Sequence, residues 1–235
     1  MRHIRSKGGP FFERPHFKLR EIEQICTDAL KEVELYPSSP EPIRVERFVE
    51  KRFKVAVEYQ ALPDGVLGFT KFGPRGVEAI IVAKVLDDGE QKHVERRLRS
   101  TLAHEGGHGL LHAHLFQLGE KPKSLFDDSD ATPRILCRDV PDAPPVARGY
   151  DGRWWEFQAN KAIGGLLMPR RLVETALVAE KFCNEAGNLG QLMLPPEKRE
   201  AAVRALADTF DVNPAVARLR LDDVFPKKND AQLLL

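Results

Sequence analysis

The sequence predicts an α+β fold, with three short strands flanked by helices and a helical lobe at the C-terminal end. Three observations carry this. Apolar residues recur at three- and four-residue spacing up to about residue 53 and again from about residue 91. Between these stretches the period drops towards two, as half-buried strands require. From residue 186 onward the spacing is helical again.

Residues 1–17 read as a flexible tail, since residues 1–20 hold six Lys/Arg and one acid. FKLREIEQICTDALKEVEL sets Leu19, Ile22, Ile25, Ala29, Leu30 and Val33 on one helical stripe that ends before Pro37. YPSSPEP is a loop, and IRVERFVEKRF a second amphipathic helix. VAVEY is strand-like, and LPDGVLGFT carries a turn at Asp64-Gly65 followed by a short strand. VEAIIVAKVL is the strongest strand and apolar enough to lie inside a sheet. Because it directly precedes the next helix, it is also expected to offer an edge to an extended substrate.

After the Asp87-Asp88-Gly89 turn a long helix is expected from about Gln91 to Phe116. Gly119–Asp151 has no clear period and is interrupted by Pro122, Pro133, Pro141, Pro144 and Pro145. It reads as a long loop, placed to gate whatever follows. RWWEFQANKAIGGLLMP is a buried helix that stops by Pro169, and RRLVETALVAEKF is another. Beyond a Gly/Pro-rich linker, PEKREAAVRALADTFDVNPAVARLRL gives two helices broken at Asp211–Asn213, with Asn213 as N-cap and Pro214 as first helical residue. The organisation expected is a tail (1–17), a main domain (18–185), and a C-terminal helical lobe with its tail (186–235).

The bulk composition excludes several classes. With 235 residues, 42% hydrophobic, the chain can bury one substantial core. Lys+Arg 36 against Asp+Glu 35 leaves a net charge of +1, which gives no electrostatic footprint for nucleic acid or membrane. In the helix-turn-helix-like lobe, Arg204, Arg218 and Arg220 alternate with Asp208, Asp211, Asp222 and Asp223. That arrangement suits packing or docking of a protein better than reading DNA. Cys26, Cys137 and Cys183 are scattered and lack C-x-x-C spacing, so neither a disulfide framework nor a thiolate zinc knuckle is expected. Without a signal-like or membrane-length apolar run, the expected location is the cytoplasm.

The chemistry concentrates in TLAHEGGHGLLHAHL, which holds four of the seven histidines within eleven residues. His104 and His108, four apart, share a helical face and can converge on one zinc ion (Zn²⁺). Glu105 lies about 100° around the helix, close enough to act as general base on a water at the metal without ligating it. Gly106, Gly107 and Gly109 each cost about 1 kcal/mol against alanine in a helix, which points to close approach by neighbouring elements.

A catalytic zinc needs a third protein ligand and an open position. His114 is set aside because Leu111 stands where a glycine would have to turn the helix back. On a continuing helix it sits about 15 Å along the axis from His104. His112 is one turn too far and reads as core-facing or hydrogen-bonded to a ligand. Glu156, on a separate helix, is the better ligand. Asn160, one turn on, can hold a ring N–H of a liganding histidine. Cys137 and Tyr150, before that helix, are lesser candidates for a thiolate that holds the site latent and for an oxyanion donor.

RRLRSTLAHEGGHGLLH and WWEFQANKAIGGLLMP together resemble the zinc helix and the E-x-x-A-N…LLMP segment of the ImmA/IrrE metallopeptidases, over roughly residues 19–225. The resemblance implies a zincin-like domain with His104, His108 and Glu156 as zinc ligands and Glu105 as general base. Gly107 and NKAIGG depart from the family's usual packing residues and leave the ligands intact. The family acts on helix-turn-helix repressors. By analogy the expected function is zinc-dependent hydrolysis of a regulatory protein, such a repressor above all. The alternative is a non-catalytic regulator that binds a transcription factor stoichiometrically. No membrane partner and no direct nucleic-acid partner are expected.

Overall fold

The computed structural model describes residues 2–5, 13–87, 91–117, 134–138, 154–186 and 191–226. The first helical stripe becomes α1 (Leu19–Glu32), which opens where the Glu21 carboxylate accepts the backbone N–H of Lys18 at 2.7 Å. It buries Ile22, Cys26, Ala29 and Leu30. The second, α2 (Val45–Phe53), ends at Lys54, whose φ of 62° lets its N–H close on the Glu50 carbonyl.

The three expected strands are β3 (Val57–Gln60), β4 (Val66–Gly73) and β5 (Gly76–Ala83). Gly65, at φ 77°, makes the turn into β4. The sheet runs β3-β5-β4-β6, in which β6 (Arg134–Arg138) comes from the stretch read as an unbroken loop. Parallel β3 and antiparallel β4 bond the two sides of β5, and β6 pairs antiparallel with β4. The expectation that β5 offers a free edge is therefore overturned. Ile80, Ile81, Val82 and Ala83 are all buried, as an interior strand covered on both faces must be. Among the described residues the sheet edges are β3 and β6.

One long helix, α3 (Lys92–Gln117), carries the histidines; β4 and β5 pack on it from one side and α4 (Trp154–Leu167) from another. Then come α5 (Arg170–Ala179), the short pair β7 (Asn184–Ala186) and β8 (Gln191–Met193), α6 (Arg199–Thr209) and α7 (Pro214–Val224). The expected break between α6 and α7 is present. Asp211 has φ 50°, Asn213 is extended, and Pro214 is the first helical residue. Asn213 makes no side-chain cap; its backbone carbonyl receives the N–H groups of Val216 and Ala217 instead.

Residues expected as a tail hold a further ladder, β1 (Arg2–Arg5) antiparallel to β2 (Glu13–His16). Pro15 in β2 is buried, and its carbonyl accepts a bond from Gln158 of α4 at 2.7 Å.

The C-terminal helices share the main core. Val203, Leu206, Phe210 and Leu221 join one cluster with Ile22, Phe48, Leu102 and Leu166. A buried ion cluster fastens them. Arg220, 1% exposed, pairs with Glu23 on α1 and donates Nε to the Met168 carbonyl at 2.9 Å. Arg170 joins Glu23 from α5 at 2.9 Å. Arg218 pairs with Glu200 and Arg199 with Asp222, so these arginines, like Arg220, are engaged within the protein.

Burial works to raise the Glu23 carboxyl, but the Arg170 and Arg220 guanidiniums outweigh it and hold the group below its ordinary value of 4.5. A carboxyl depressed on folding adds stability that is complete above the unfolded value and lost as pH falls through the folded one. Glu23→Gln leaves Arg220 buried without its counter-charge and should cost about 3–5 kcal/mol in urea unfolding at neutral pH. Between pH 5 and 3 the variant should lose stability less steeply than the wild type.

Candidate metal centre

Four elements build the site. Helix α3 presents His104, Glu105, His108 and His112 on successive turns, α4 supplies Glu156, Gln158 and Asn160, and β4 supplies Thr70. Pro15 of β2 closes the far side. The separation of the two helices is set by Gly107. A Cβ there would lie 2.7 Å from the Ala162 Cβ and 3.3 Å from the Ala159 carbonyl. On the sheet side a Cβ at Gly68 would meet Thr101 at 2.9 Å and Glu105 at 3.4 Å, so β4 runs directly over the helix. Gly109 makes room for Phe53 in the same way, whereas a Cβ at Gly106 would meet only ordinary contacts at 3.6–3.8 Å. Close approach therefore explains Gly107 and Gly109, as the sequence suggested, and does not explain Gly106.

His104, His108 and Glu156 converge, their ligand atoms all within 4.8 Å of one another. The Nε2 atoms of His104 and His108 are 2.9 Å apart. Glu156 places Oε2 3.2 Å from His104 Nε2 and Oε1 3.6 Å from His108 Nε2. Ligand atoms about 2.05 Å from a tetrahedral zinc would be about 3.3 Å from each other. The three observed edges bracket that figure. The histidines are fully enclosed, whereas the Glu156 side chain is 14% exposed, so access to the centre lies on its side.

Every outward-facing ring nitrogen of the two ligand histidines has a partner. Asn160 Oδ1 is 3.1 Å from His104 Nδ1 and can only accept, so that nitrogen carries the proton and Nε2 the lone pair. The His104 lone pair and the Glu156 carboxylate face each other at 3.2 Å, a repulsion that a cation between them would relieve. The donor set, two nitrogens and a carboxylate, suits zinc. Burial, with His104 and His112 adding to it, pushes the His108 imidazole well below its ordinary value. Burial likewise pushes His112 down to about 3, against the opposing effect of the bond it donates to Gln158. Both rings are neutral at physiological pH, which is the state a metal ligand and its neighbour require.

Of the other expected residues, Glu105 is buried and lies against β4. The Thr70 hydroxyl is 2.7 Å from its Oε2, to which it donates, and 3.1 Å from its backbone carbonyl. His112 is buried, with Nδ1 3.0 Å from His108 Nδ1, and packs edge-on against Trp154. His114 lies outside the three-residue group. Cys137 lies in β6, where its backbone opposes Gly68 of β4; Tyr150 lies outside the described residues, as does the proline-rich loop apart from β6. Thr70 and Gln158 went unnoticed in the sequence. The only mark they carried was a polar side chain on the buried face of its element.

No family model matches the chain, and no curated protein does. The assignment of the site rests on its own geometry: a buried His/His/Glu cluster able to coordinate a metal ion, on an α+β scaffold with a C-terminal helical lobe.

The two neighbouring glycines give opposite expectations. Gly107→Ala should force α3 and α4 apart, cost about 1–3 kcal/mol, and weaken zinc binding in competition with a chromophoric chelator. Gly106→Ala should bind zinc as wild type and gain up to about 1 kcal/mol of stability in urea unfolding.

Proposed function

We propose that the protein is a zinc-dependent endopeptidase that hydrolyses a regulatory protein, a helix-turn-helix repressor above all. The observation that carries the reading is the convergence of His104, His108 and Glu156 beside a glutamate held by Thr70. Zinc held there would supply Lewis-acid polarisation of a carbonyl and lower the pKa of water. His104 and His108 would hold it through Nε2 and Glu156 through its carboxylate. Glu105, steered by the Thr70 hydroxyl, takes a proton from the attacking water at a carboxylate oxygen and returns it to the departing amide nitrogen. The enclosing walls of α3, α4 and β4 keep bulk water from the reacting carbonyl.

With β5 paired on both sides, the edge for an extended substrate falls to β6, which is bonded to β4 on one side. It lies one strand from Glu105, since Cys137 opposes Gly68 and Gly68 abuts Glu105. Main-chain bonds along that edge would supply affinity without sequence preference. The choice of a repressor rests on the resemblance of HEGGH and EFQAN…LLMP to the ImmA/IrrE metallopeptidases. A nearly neutral chain with an enclosed centre also suits a single target better than general proteolysis.

Glu105→Gln should keep zinc and fold while lowering turnover about 10²–10⁴-fold, whereas His104→Ala should lose the metal. Incubation with a repressor encoded beside the gene should give one cut that chelation abolishes, with casein a poor substrate. Near wild-type turnover by Glu105→Gln would remove the general-base role. An intact repressor that loses DNA binding in an equimolar complex would replace hydrolysis with stoichiometric regulation.

A further inference from the structure

Behind the metal centre lies a row of buried polar atoms that the proposed reaction does not use. His108 Nδ1 is 3.0 Å from His112 Nδ1, His112 Nε2 is 3.1 Å from Gln158 Oε1, and Gln158 Nε2 is 2.7 Å from the Pro15 carbonyl. His108, His112 and Gln158 are at most 3% exposed, so water cannot substitute for a missing partner.

The polarity of this row is fixed from its far end. A backbone carbonyl only accepts, so the Gln158 amide nitrogen must face Pro15 and its oxygen must face His112. His112 must then donate from Nε2, which leaves Nδ1 as an acceptor. His108 must donate to it from Nδ1, which leaves the His108 lone pair on Nε2, the atom aimed at His104 and Glu156. Any reversal would set two donors or two acceptors against each other in a buried space, at the cost of at least one unmade hydrogen bond.

We propose that Gln158 is a positioning residue whose relay through His112 locks the tautomer of His108, and that the β1–β2 ladder, through the Pro15 carbonyl, forms part of the metal centre's support. The segment that composition marks as a tail thus acts on metal retention from outside the ligand set. Pro15 suits this place. It has no N–H to offer the ladder, and its carbonyl faces α4. The inference rests on the zinc reading and is separable from it.

The test uses full-length protein and two substitutions that divide the relay. Gln158→Leu removes both bonds. Gln158→Glu still accepts from His112 Nε2 but has nothing to donate to Pro15. Zinc affinity is read by chelator competition, tautomers by the ¹⁵N shifts of histidine-labelled, zinc-loaded protein, and the ladder by amide exchange over residues 13–16. Gln158→Leu should bind zinc about 10–100-fold more weakly and lose the single His112 tautomer. Gln158→Glu keeps the acceptor for His112 and loses the tie to Pro15, so it should bind zinc about 3–10-fold more weakly than wild type, a smaller loss than in Gln158→Leu, while residues 13–16 exchange faster. Wild-type zinc affinity beside a loosened ladder would remove the ladder from the metal centre's support. A folded Gln158→Leu protein with wild-type zinc affinity would overturn the proposal. So would wild-type protein with the His112 proton on Nδ1, a result that needs no variant to fold. Wild-type protein that takes up no zinc would remove the metal reading itself, and the relay's purpose with it.

Discussion

The contact between α3 and α4 at Gly107 is the constraint on which the site depends. Neither helix carries a metal site alone. His104 and His108 stand on one and Glu156 on the other, and they converge only because the axes approach to where even a methyl group would collide with Ala162 and Ala159. The unfavourable helix propensity of glycine is offset by dispersion contacts across that seam and by the bonds it lets Asn160 and Gln158 make. The sheet imposes the matching constraint from the other side, where Gly68 lets β4 bring Thr70 onto Glu105. The candidate ligands and the proposed base are thus brought together by close approach of the backbones.

The parts of this arrangement that were legible in the sequence are the local ones. Helical periods identified α1 to α7, because each helix shows its own buried stripe. The i, i+4 histidines are a property of one helix, and the pairing of Glu156 with Asn160 a property of another. What was hidden depends on partners distant in the chain. Nothing within VEAIIVAKVL says which strands flank it, so an interior strand was taken to offer an edge. The five residues of β6 sit between proline-rich stretches and are specified by the open side of β4 rather than by their own pattern. The strands β7 and β8, three residues each, are too short for any period to register. Gln158 and Thr70 gain meaning only beside His112 and Glu105, and the alternating charges of α7 hid a guanidinium buried against α1.

The C-terminal helices belong to this account as structure. Arg96 of α3 bonds Asp208 and Asp211 at the corner between α6 and α7, at 3.0 Å and 2.9 Å, and Lys161 of α4 reaches Asp223. Both helices that bear the candidate ligands are therefore tied to the lobe by ion pairs. A load applied to α6 and α7 would be felt along α3 and α4.

The Glu23–Arg220 pair joins residues 197 positions apart, and that separation bears on the order of assembly. The β4–β5 hairpin and α3 are built from near neighbours and can form early, whereas α7 must find α1 across nearly the whole chain. Until it does, a Glu23 packed against α4 is desolvated with at most one of its two guanidiniums. Such a carboxyl is more easily protonated than in the finished fold, where both guanidiniums hold it ionised. The docking of α7 brings the second guanidinium, which favours the ionised carboxylate, so acid weakens a contact that closes the two ends of the chain on each other.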